Sequence, residues 1–226
     1  MEKKRVLLVV AHPDDEILGA GGTLIKKIKD GLWTVRVLIL TDGVSWRNRA
    51  KEAIERQKKA ATIAAKLVGY DLIIGDFKDQ LLDRYPISKI VDFVSHHVKK
   101  FEPNIVMTHH WGDANYDHFV TFNAVNVAIR PIKNQPYLEK FITLFIPSSS
   151  EWNFDPMKSF KPNIFVDIME TLDTKIKILQ TAYGHEMREF PHPRSKESII
   201  YYARYFGTQI GMEAAEAFNL LWSREL

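Results

Sequence analysis

The amino-acid sequence predicts an α/β protein whose central sheet is mostly parallel. Short apolar runs rich in Val and Ile alternate with longer segments in which apolar residues recur at three- and four-residue steps. The runs are typical of buried strands, and the longer segments are typical of helices that cover a sheet. We therefore expect a Rossmann-like, three-layer α/β/α fold, formed as a single domain by residues 1–226.

Four strands alternate with four helices in the first part of the chain. Ile90, Val94 and Val98 mark the apolar face of the third helix, and Gly31 and Gly69 lie where helices are expected to stop. The predicted strands are 5–10, 34–40, 71–74 and 104–107, and the predicted helices are 19–30, 48–67, 87–100 and 117–129.

The later part of the chain is richer in loops. Residues 130–162 contain five prolines and the run Ser148-Ser149-Ser150, a composition that favours loops around one further strand at 141–145. Two closing helices, at about 172–183 and 196–221, are predicted on either side of the loop "EFPHPRSKE".

Composition narrows the set of partners. The 31 basic and 28 acidic residues are interspersed and leave a formal charge of +3, which argues against nucleic acid or an anionic membrane as the main partner. The chain has no cysteine, so any metal must bind to His, Asp or Glu. The apolar run Val6 to Ala11 is too short for a signal peptide, and no stretch approaches the ~18 apolar residues of a membrane span. We expect a cytoplasmic protein, and its 46% hydrophobic content permits a homo-oligomer.

Two clusters of charged residues follow predicted strands. The first lies in "VLLVVAHPDDEILGAGGTL" and the second in "NIVMTHHWGDANYDHFVTFNAV". Because the carboxyl ends of parallel strands share one edge of a sheet, both clusters are expected at the same ligand-binding edge. There His12, Asp15 and His118 form a set of two histidines and one carboxylate, which is a recurring catalytic zinc arrangement. Fe²⁺ or Co²⁺ suit the same ligands.

Asp14 is the candidate general base beside this metal site. A bound Zn²⁺ lowers the pKa of its water to about 7, and Asp14 is placed to take the proton of that water. The alternative is that Asp14, Asp15 and Glu16 only stabilise a helix N-terminus. His109 and His110 also compete for the metal, and spacing alone does not choose among the histidines.

A dinucleotide site is a weaker interpretation of the "GAGG" glycines. Leu24 occupies the third glycine position of the fingerprint, and the acids that precede the glycines would repel a pyrophosphate. Gly21 and Gly22 are better explained as positions where a helix closely approaches the sheet or the site.

The segment "AHPDDEILGAGGTL" resembles the A-H-P-D-D-E-x-x-G-x-G-G signature of the PIG-L/LmbE-like deacetylases. "NYDH" is similar to the second family motif, H-P-D-H, and "GTQIGMEAAEAF" is similar to the family's closing helix. This resemblance implies a zinc enzyme acting on N-acetylglucosamine-type substrates, with His12, Asp15 and His118 as zinc ligands and Asp14 as general base.

The second motif departs from the family pattern at its first position. Many members have a histidine there, which polarises the substrate carbonyl or protonates the leaving amine, and the motif's Asp orients it. Here the position is Asn115, which can donate a hydrogen bond to an oxyanion but cannot deliver a proton. We favour Asp14 as the proton shuttle with His192 assisting, and His110 is an alternative. Asp117 either orients one of these groups or caps its own helix.

The substrate contacts are less specific. Arg47 is expected on the same edge and could bind sugar hydroxyls or a phosphate, or could be a solvated arginine. Trp46, Trp111 and Trp152 could stack on a sugar face or simply pack. The leading hypothesis is a zinc-dependent N-deacetylase that releases acetate and a free amine from a free, glycosidic or nucleotide-linked N-acetyl amino sugar. The alternatives are an amidohydrolase of a non-sugar N-acyl metabolite and a sugar-binding protein without catalysis.

Overall fold

A computed structural model describes residues 3–130 and 136–225. Within these residues, seven strands and six helices follow one another in the order β1 Lys4–Val10, α1 Asp15–Lys29, β2 Trp33–Thr41, α2 Lys51–Val68, β3 Asp71–Phe77, α3 Ile87–Phe101, β4 Ile105–His109, α4 Tyr116–Ala128, β5 Lys140–Leu144, β6 Ile164–Asp167, α5 Met169–Tyr183, α6 Lys196–Thr208 and β7 Ala215–Ser223. Pro131, one of the five prolines of the predicted loop region, lies outside the described residues.

The strands form one sheet in the order β3-β2-β1-β4-β5-β7-β6. The first five are parallel to one another, and β7 runs antiparallel to both β5 and β6. The chain winds outward from β1 to β3 and then returns to place β4 on the other side of β1. The gap between β1 and β4 is therefore a topological switch point, where open α/β sheets bind their ligands.

Helices cover both faces of the sheet, which confirms the predicted three-layer fold. Val6, Leu8 and Val10 of β1 pack in one core with apolar residues of α1, α2 and α5, whereas Leu7 and Val9 pack in a second core with α3 and α4. All five of these side chains have no exposed surface. Burial on both faces explains why the run is continuously apolar rather than alternating.

The end of the chain differs from the prediction. The helix predicted at 196–221 ends at Thr208, and "AEAFNLLWS" forms β7 instead of a closing helix. A Cβ at Gly207 would lie 2.6 Å from the carbonyl oxygen of Met212, and Gly211 has a φ of +73°, so the chain turns here. Pairing with two neighbouring strands then outweighs the helical propensity of the alanines. The prediction also missed β6, whose run is only four residues long.

Contacts of α1 tie the first half of the chain to the last strand. A Cβ at Gly22 would lie 2.9 Å from Cβ of Ile168, so this glycine permits the close approach expected from the "GAGG" run. The buried carboxylate of Glu216 in β7 accepts hydrogen bonds from the backbone N–H groups of Gly22 and Thr23, at 2.8 and 2.7 Å. Lys175 of α5 donates to the same carboxylate at 2.7 Å. The other predicted elements agree with the structure to within a few residues at their ends.

Across residues 3–130 and 136–225, none of the helices has both the length and the apolar character needed to cross a bilayer.

Candidate metal centre and cleft

The two charged clusters meet at the switch point because β1 and β4 are paired neighbours, with Val9 opposite Thr108. Nδ1 of His12 lies 3.3 Å from Oδ2 of Asp15, and Nε2 of His118 lies 3.4 Å from the same oxygen. Ligands held about 2.1 Å from a tetrahedral ion stand about 3.4 Å apart. The donor set and its spacing therefore fit one divalent cation.

Each imidazole has a carboxylate on its far side. Nε2 of His12 lies 3.2 Å from Oδ2 of Asp117, and Nδ1 of His118 lies 2.8 Å from Oδ2 of Asp113. A carboxylate that accepts the N–H of one ring nitrogen leaves the lone pair of the other nitrogen for a cation. A cation bound at Asp15 would therefore meet a ring nitrogen of each histidine whose other nitrogen donates to a carboxylate.

The electrostatics of the site favour positive charge. Burial lowers the pKa of His118, but the carboxylates of Asp15 and Asp113 outweigh it and raise the pKa to about 9. Burial raises the pKa of Asp15, yet the imidazoles of His118 and His109 hold that pKa well below its usual range. His12 behaves like His118, because Asp117 and Asp15 overcome burial and raise its pKa well above the ordinary value. The cluster thus takes up protons at positions where it could bind a cation.

Asp14 lies next to this centre in an unusual conformation. Its φ is +106° and its ψ is −30°, a region that costs a non-glycine residue about 1–3 kcal/mol. Its carboxylate makes no cap to α1 and instead pairs through Oδ2 with Nη1 of Arg194, at 2.7 Å. Burial raises the pKa of Asp14 to about 8, although the Arg194 guanidinium acts in the opposite direction. Asp14 lines the same cleft as the two histidines and Asp15.

The other two histidines near the site are engaged elsewhere. His109 stacks on His118 with ring centroids 3.6 Å apart, and its Nε2 accepts a hydrogen bond from the N–H of Ala11 at 2.8 Å. Nε2 of His110 lies 2.8 Å from the carbonyl oxygen of Lys158 and donates to it. His109 also stands 3.5 Å from Oδ2 of Asp15 through the same Nε2, but that nitrogen is occupied by the Ala11 N–H, whereas His12 and His118 each have a ring nitrogen free to face Asp15.

The residues of the second motif, "NYDH", have two roles: one caps a helix and another orients a histidine. Oδ1 of Asn115 accepts the N–H of Asp117 at 3.0 Å, so Asn115 is the N-cap of α4. The carboxylate of Asp117 instead faces His12 and accepts hydrogen bonds from the backbone N–H groups of Gln80 and Leu82, at 2.8 and 3.1 Å. Neither interpretation offered for Asp117 describes these contacts, because Asn115 is the N-cap and the Asp117 carboxylate faces His12, a predicted metal ligand, rather than one of the proposed proton-transfer groups.

Arg47 and His192 both line the cleft. The guanidinium of Arg47 forms a bidentate pair with Glu186, with distances of 3.0 and 2.8 Å, and also donates to the carbonyl of Gly43. Nδ1 of His192 accepts the N–H of Arg194 at 3.0 Å, and its ring makes an edge contact with Trp152 at 5.4 Å. His192 is thus a cleft residue rather than a freely solvated one.

The cleft is open, and both polar and aromatic side chains line it. It has a volume of about 740 Å³ and its lining includes Trp46 and Trp152, which are 59% and 44% exposed. Trp111 is not among the lining residues and packs beside His110 instead. A cleft of this size, with a few convergent polar groups and two exposed indoles, suits a small polar ligand with an apolar face.

Sequence reasoning missed several residues of this site. Asp113 and Arg194 stand inside motifs that were considered, but neither spacing nor residue type marks a contact to His118 or Asp14. Glu186 and Asp79 lie in stretches without any motif, and each reaches the cleft only through the tertiary fold.

Two histidines and one carboxylate that could hold one cation lie at the switch point of a parallel sheet, beside a carboxyl group that can take protons, and this arrangement is typical of metal-dependent hydrolases. The family model described as PIG-L, GlcNAc-PI de-N-acetylase, matches residues 7–129. The chain belongs to this family, and it is a deacetylase, an enzyme that hydrolyses linear amide C–N bonds.

The similar proteins include deacetylases and, among the solved structures that share the fold, an enzyme of another kind. The chain is 30% identical over 222 residues to a diacetylchitobiose deacetylase of Thermococcus kodakarensis, covering 90% of this chain and 79% of the relative. The structure of the N,N'-diacetylchitobiose deacetylase from Pyrococcus horikoshii superimposes with a TM-score of 0.77 at 20% identity, over 97% of this chain and 84% of that one. GalB, the 4-carboxy-2-hydroxymuconate hydratase from Pseudomonas putida, reaches a TM-score of 0.76 at 20% identity, over 99% and 98%. The fold is therefore shared by enzymes of different reactions, and the site must decide the chemistry.

Proposed function

We propose that this protein is a zinc-dependent N-deacetylase, which hydrolyses the acetamide of an N-acetylglucosamine-type amino sugar to acetate and a free amine. The observation that carries the proposal is the convergence of His12, Asp15 and His118 beside Asp14 in one open cleft. The relative with 30% identity is named for an N-acetylated sugar, which supports a substrate of this class.

Zinc is our choice of metal because the donor set fits it. Two imidazole nitrogens and one carboxylate oxygen form a common catalytic zinc set, and Fe²⁺ and Co²⁺ are the other ions that suit these ligands. When bound, zinc supplies Lewis acidity that lowers the pKa of water to about 7 and stabilises negative charge on a carbonyl oxygen. Asp113 and Asp117 would keep both imidazoles in the orientation that this ion requires.

Asp14 is proposed as the general base and proton carrier. It would accept a proton from the attacking water and return it to the nitrogen of the leaving amine as the tetrahedral intermediate collapses. Arg194 fixes the carboxyl group of Asp14 in one orientation through the ion pair at 2.7 Å. His192 would assist the protonation from the neighbouring wall of the cleft.

Asn115 and Arg47 are proposed to contact the substrate. The Oδ1 atom of Asn115 is committed to the helix cap, so its amide group can offer only N–H donors, which suit a developing oxyanion. Arg47 would bind sugar hydroxyls or a phosphate in the same cleft. Cytoplasmic location, a single domain and a possible homo-oligomer stay predictions.

The test is a substrate panel on purified, zinc-replete protein. We expect amine release from N,N'-diacetylchitobiose or from N-acetylglucosamine and its glycosides, and release at least about 100-fold slower from the Asp14→Asn variant. Amine release from a non-sugar N-acetyl compound alone would instead favour the alternative amidohydrolase. Tight sugar binding without any turnover would favour a binding protein and would overturn the proposal.

A further inference from the structure

Glu16 is the acid of the "HPDDE" stretch that does not line the cleft. Its side chain has no exposed surface, and both carboxylate oxygens accept hydrogen bonds. Oε1 accepts the hydroxyls of Tyr70 and Tyr183, at 3.0 and 2.7 Å, and Oε2 accepts the backbone N–H of Asp14 at 3.0 Å. A carboxylate with these contacts cannot reach a substrate, so any part that it plays in the reaction must pass through another residue.

The hydrogen bond to Asp14 bears on the conformation of that residue. An aspartate that precedes a helix usually turns its carboxylate back to cap the first N–H groups. Here Asp14 makes no such cap, its φ is +106°, and its carboxylate faces the cleft and Arg194. Glu16 accepts the Asp14 N–H that this conformation turns inward. The backbone conformation of Asp14 therefore sets both the direction of its side chain and its hydrogen bond to Glu16.

The two tyrosines make Glu16 a rigid acceptor. Tyr70 follows the end of α2, and Tyr183 is the last residue of α5. Both rings are buried in the core that packs against α1. Glu16 is thus held from two segments that are separate in the chain, and it has one well-defined position from which to hold Asp14.

We propose that Glu16, held by Tyr70 and Tyr183, is a positioning residue that keeps the Asp14 backbone in its positive-φ conformation and so aims the Asp14 carboxylate at the reacting water. The inference rests on the proposed function of Asp14 as general base. A misplacement of a catalytic group by about 1 Å can cost a factor of about 100 in rate, which sets the size of the expected effect.

If Glu16, Tyr70 and Tyr183 served only to stabilise the fold, their replacement would leave kcat of the folded protein unchanged. One triple variant separates this structural role from the positioning role. Glu16→Leu with Tyr70→Phe and Tyr183→Phe replaces the three polar side chains with apolar ones of similar shape, so the buried Asp14 N–H alone loses its acceptor, at a cost of about 1–3 kcal/mol of stability. We expect the triple variant to fold and to bind one zinc as the wild type does. With N,N'-diacetylchitobiose as the probe, its kcat should fall about 100-fold while KM stays within about twofold.

A second measurement does not depend on any substrate. Amide hydrogen exchange of the Asp14 N–H, followed by NMR, should become at least about tenfold faster in the triple variant because this group loses its acceptor. Tyr202→Phe is the matched control, since it removes a hydroxyl that donates to another glutamate, Glu151, at 3.1 Å. Its kcat and its Asp14 exchange should remain at the wild-type values.

The outcomes distinguish this inference from the proposed function. Unchanged Asp14 exchange together with a kcat within about threefold of wild type would overturn the positioning role and leave the proposed function intact. Full activity of Asp14→Asn would overturn the proposed function, whatever the triple variant does. If the triple variant does not fold, Tyr183→Phe alone decides: we expect about a tenfold lower kcat with unchanged zinc content, and a wild-type kcat would refute the inference.

Discussion

The two loops that meet at the switch point contribute to the site in different ways. The loop after β1 places His12, Asp14 and Asp15 on the wall of the cleft within four consecutive positions. The second loop, counted from the end of β4 into the first turn of α4, places His118 and Asn115 there, while its two acids, Asp113 and Asp117, lie behind the imidazoles. The first loop therefore concentrates the reacting groups, and the second mainly orients them.

The loops are also braced against each other. Asp117 of the second loop supports His12 of the first, and His118 of the second reaches Asp15 of the first. Because each loop supports a residue of the other, neither loop forms a complete site alone. The variants and conditions that follow test how unequal the two contributions are.

Metal removal affects both loops at once and should have the largest effect. A chelator that strips the ion is expected to reduce amine release to below about 1% of the metal-replete value, because water then loses its Lewis-acid activation. Added Zn²⁺ should restore the rate, and Mg²⁺, which prefers oxygen ligands, should not. Full activity in protein shown to be metal-free would contradict the assigned centre.

Substitution of the base tests the first loop alone. Asp14→Asn should lower kcat by about 10²–10⁴-fold, the usual contribution of a general base, without loss of bound zinc. Steady-state kinetics together with metal analysis of the same sample would measure both quantities. A loss of zinc comparable to that of His118→Ala would show that Asp14 serves the metal rather than the proton.

Substitution of the two supporting acids tests the second loop. Asp113→Asn and Asp117→Asn should each weaken zinc binding by about 10–100-fold, because the imidazole loses a charged acceptor on its far side. Competition with a chromophoric chelator would give the affinities. Asp167→Asn, at an exposed acid whose Oδ1 accepts the N–H of Met169 outside the cleft, is the control and should bind zinc like the wild type.

The chelated protein should also show a distinct pH dependence. The pKa of His118 is raised from an ordinary 6.5 to about 9, so between these values the folded state binds a proton that the unfolded state does not. The contribution of this proton is complete below pH 6.5 and is lost as the pH rises through 9. Urea unfolding from pH 6.5 to 9 should therefore show falling stability, and the zinc-bound form should lack this component. A flat profile of the chelated protein would contradict it.

The smallest effect is expected at the cap of α4. Asn115→Ala should cost about 1 kcal/mol of stability through loss of the cap, and it should lower kcat moderately through loss of an amide donor. Asn115→Asp keeps the cap and removes the donor, so it should preserve the midpoint of urea unfolding while kcat falls. Equal kcat in Asn115→Asp and wild type would exclude the amide from the reaction.

Sequence patterns predicted the parallel part of the sheet well and its antiparallel edge poorly. Strands β1, β2 and β4 are largely buried, and their continuous apolar runs stand out from the spaced helices. Strand β7 carries helix-favouring alanines, and its strand conformation comes from pairing with β5 and β6. Tertiary pairing of this kind leaves no local signal, which is why the closing helix was predicted to run too far.

In the candidate site too, residues with a local sequence signal were predicted and residues without one were missed. His12, Asp14, Asp15 and His118 were found because they stand in dense motifs at strand ends, and the structure brings all four together. Arg194 and Glu186 come from a loop almost 200 residues along the chain and meet Asp14 and Arg47 only in the fold. The roles assigned to all of these residues stay predictions until the variants are measured.

The bidentate pair between Arg47 and Glu186 limits how strongly the free enzyme can bind a ligand through this arginine. The guanidinium is already neutralised by an internal anion, so a ligand gains there only the difference between its own contact and the one it displaces. A hydroxyl is a weaker competitor for this arginine than a phosphate or a carboxylate. Neutral sugars should therefore settle beside an intact ion pair, whereas an anionic compound would bind by exchange with Glu186.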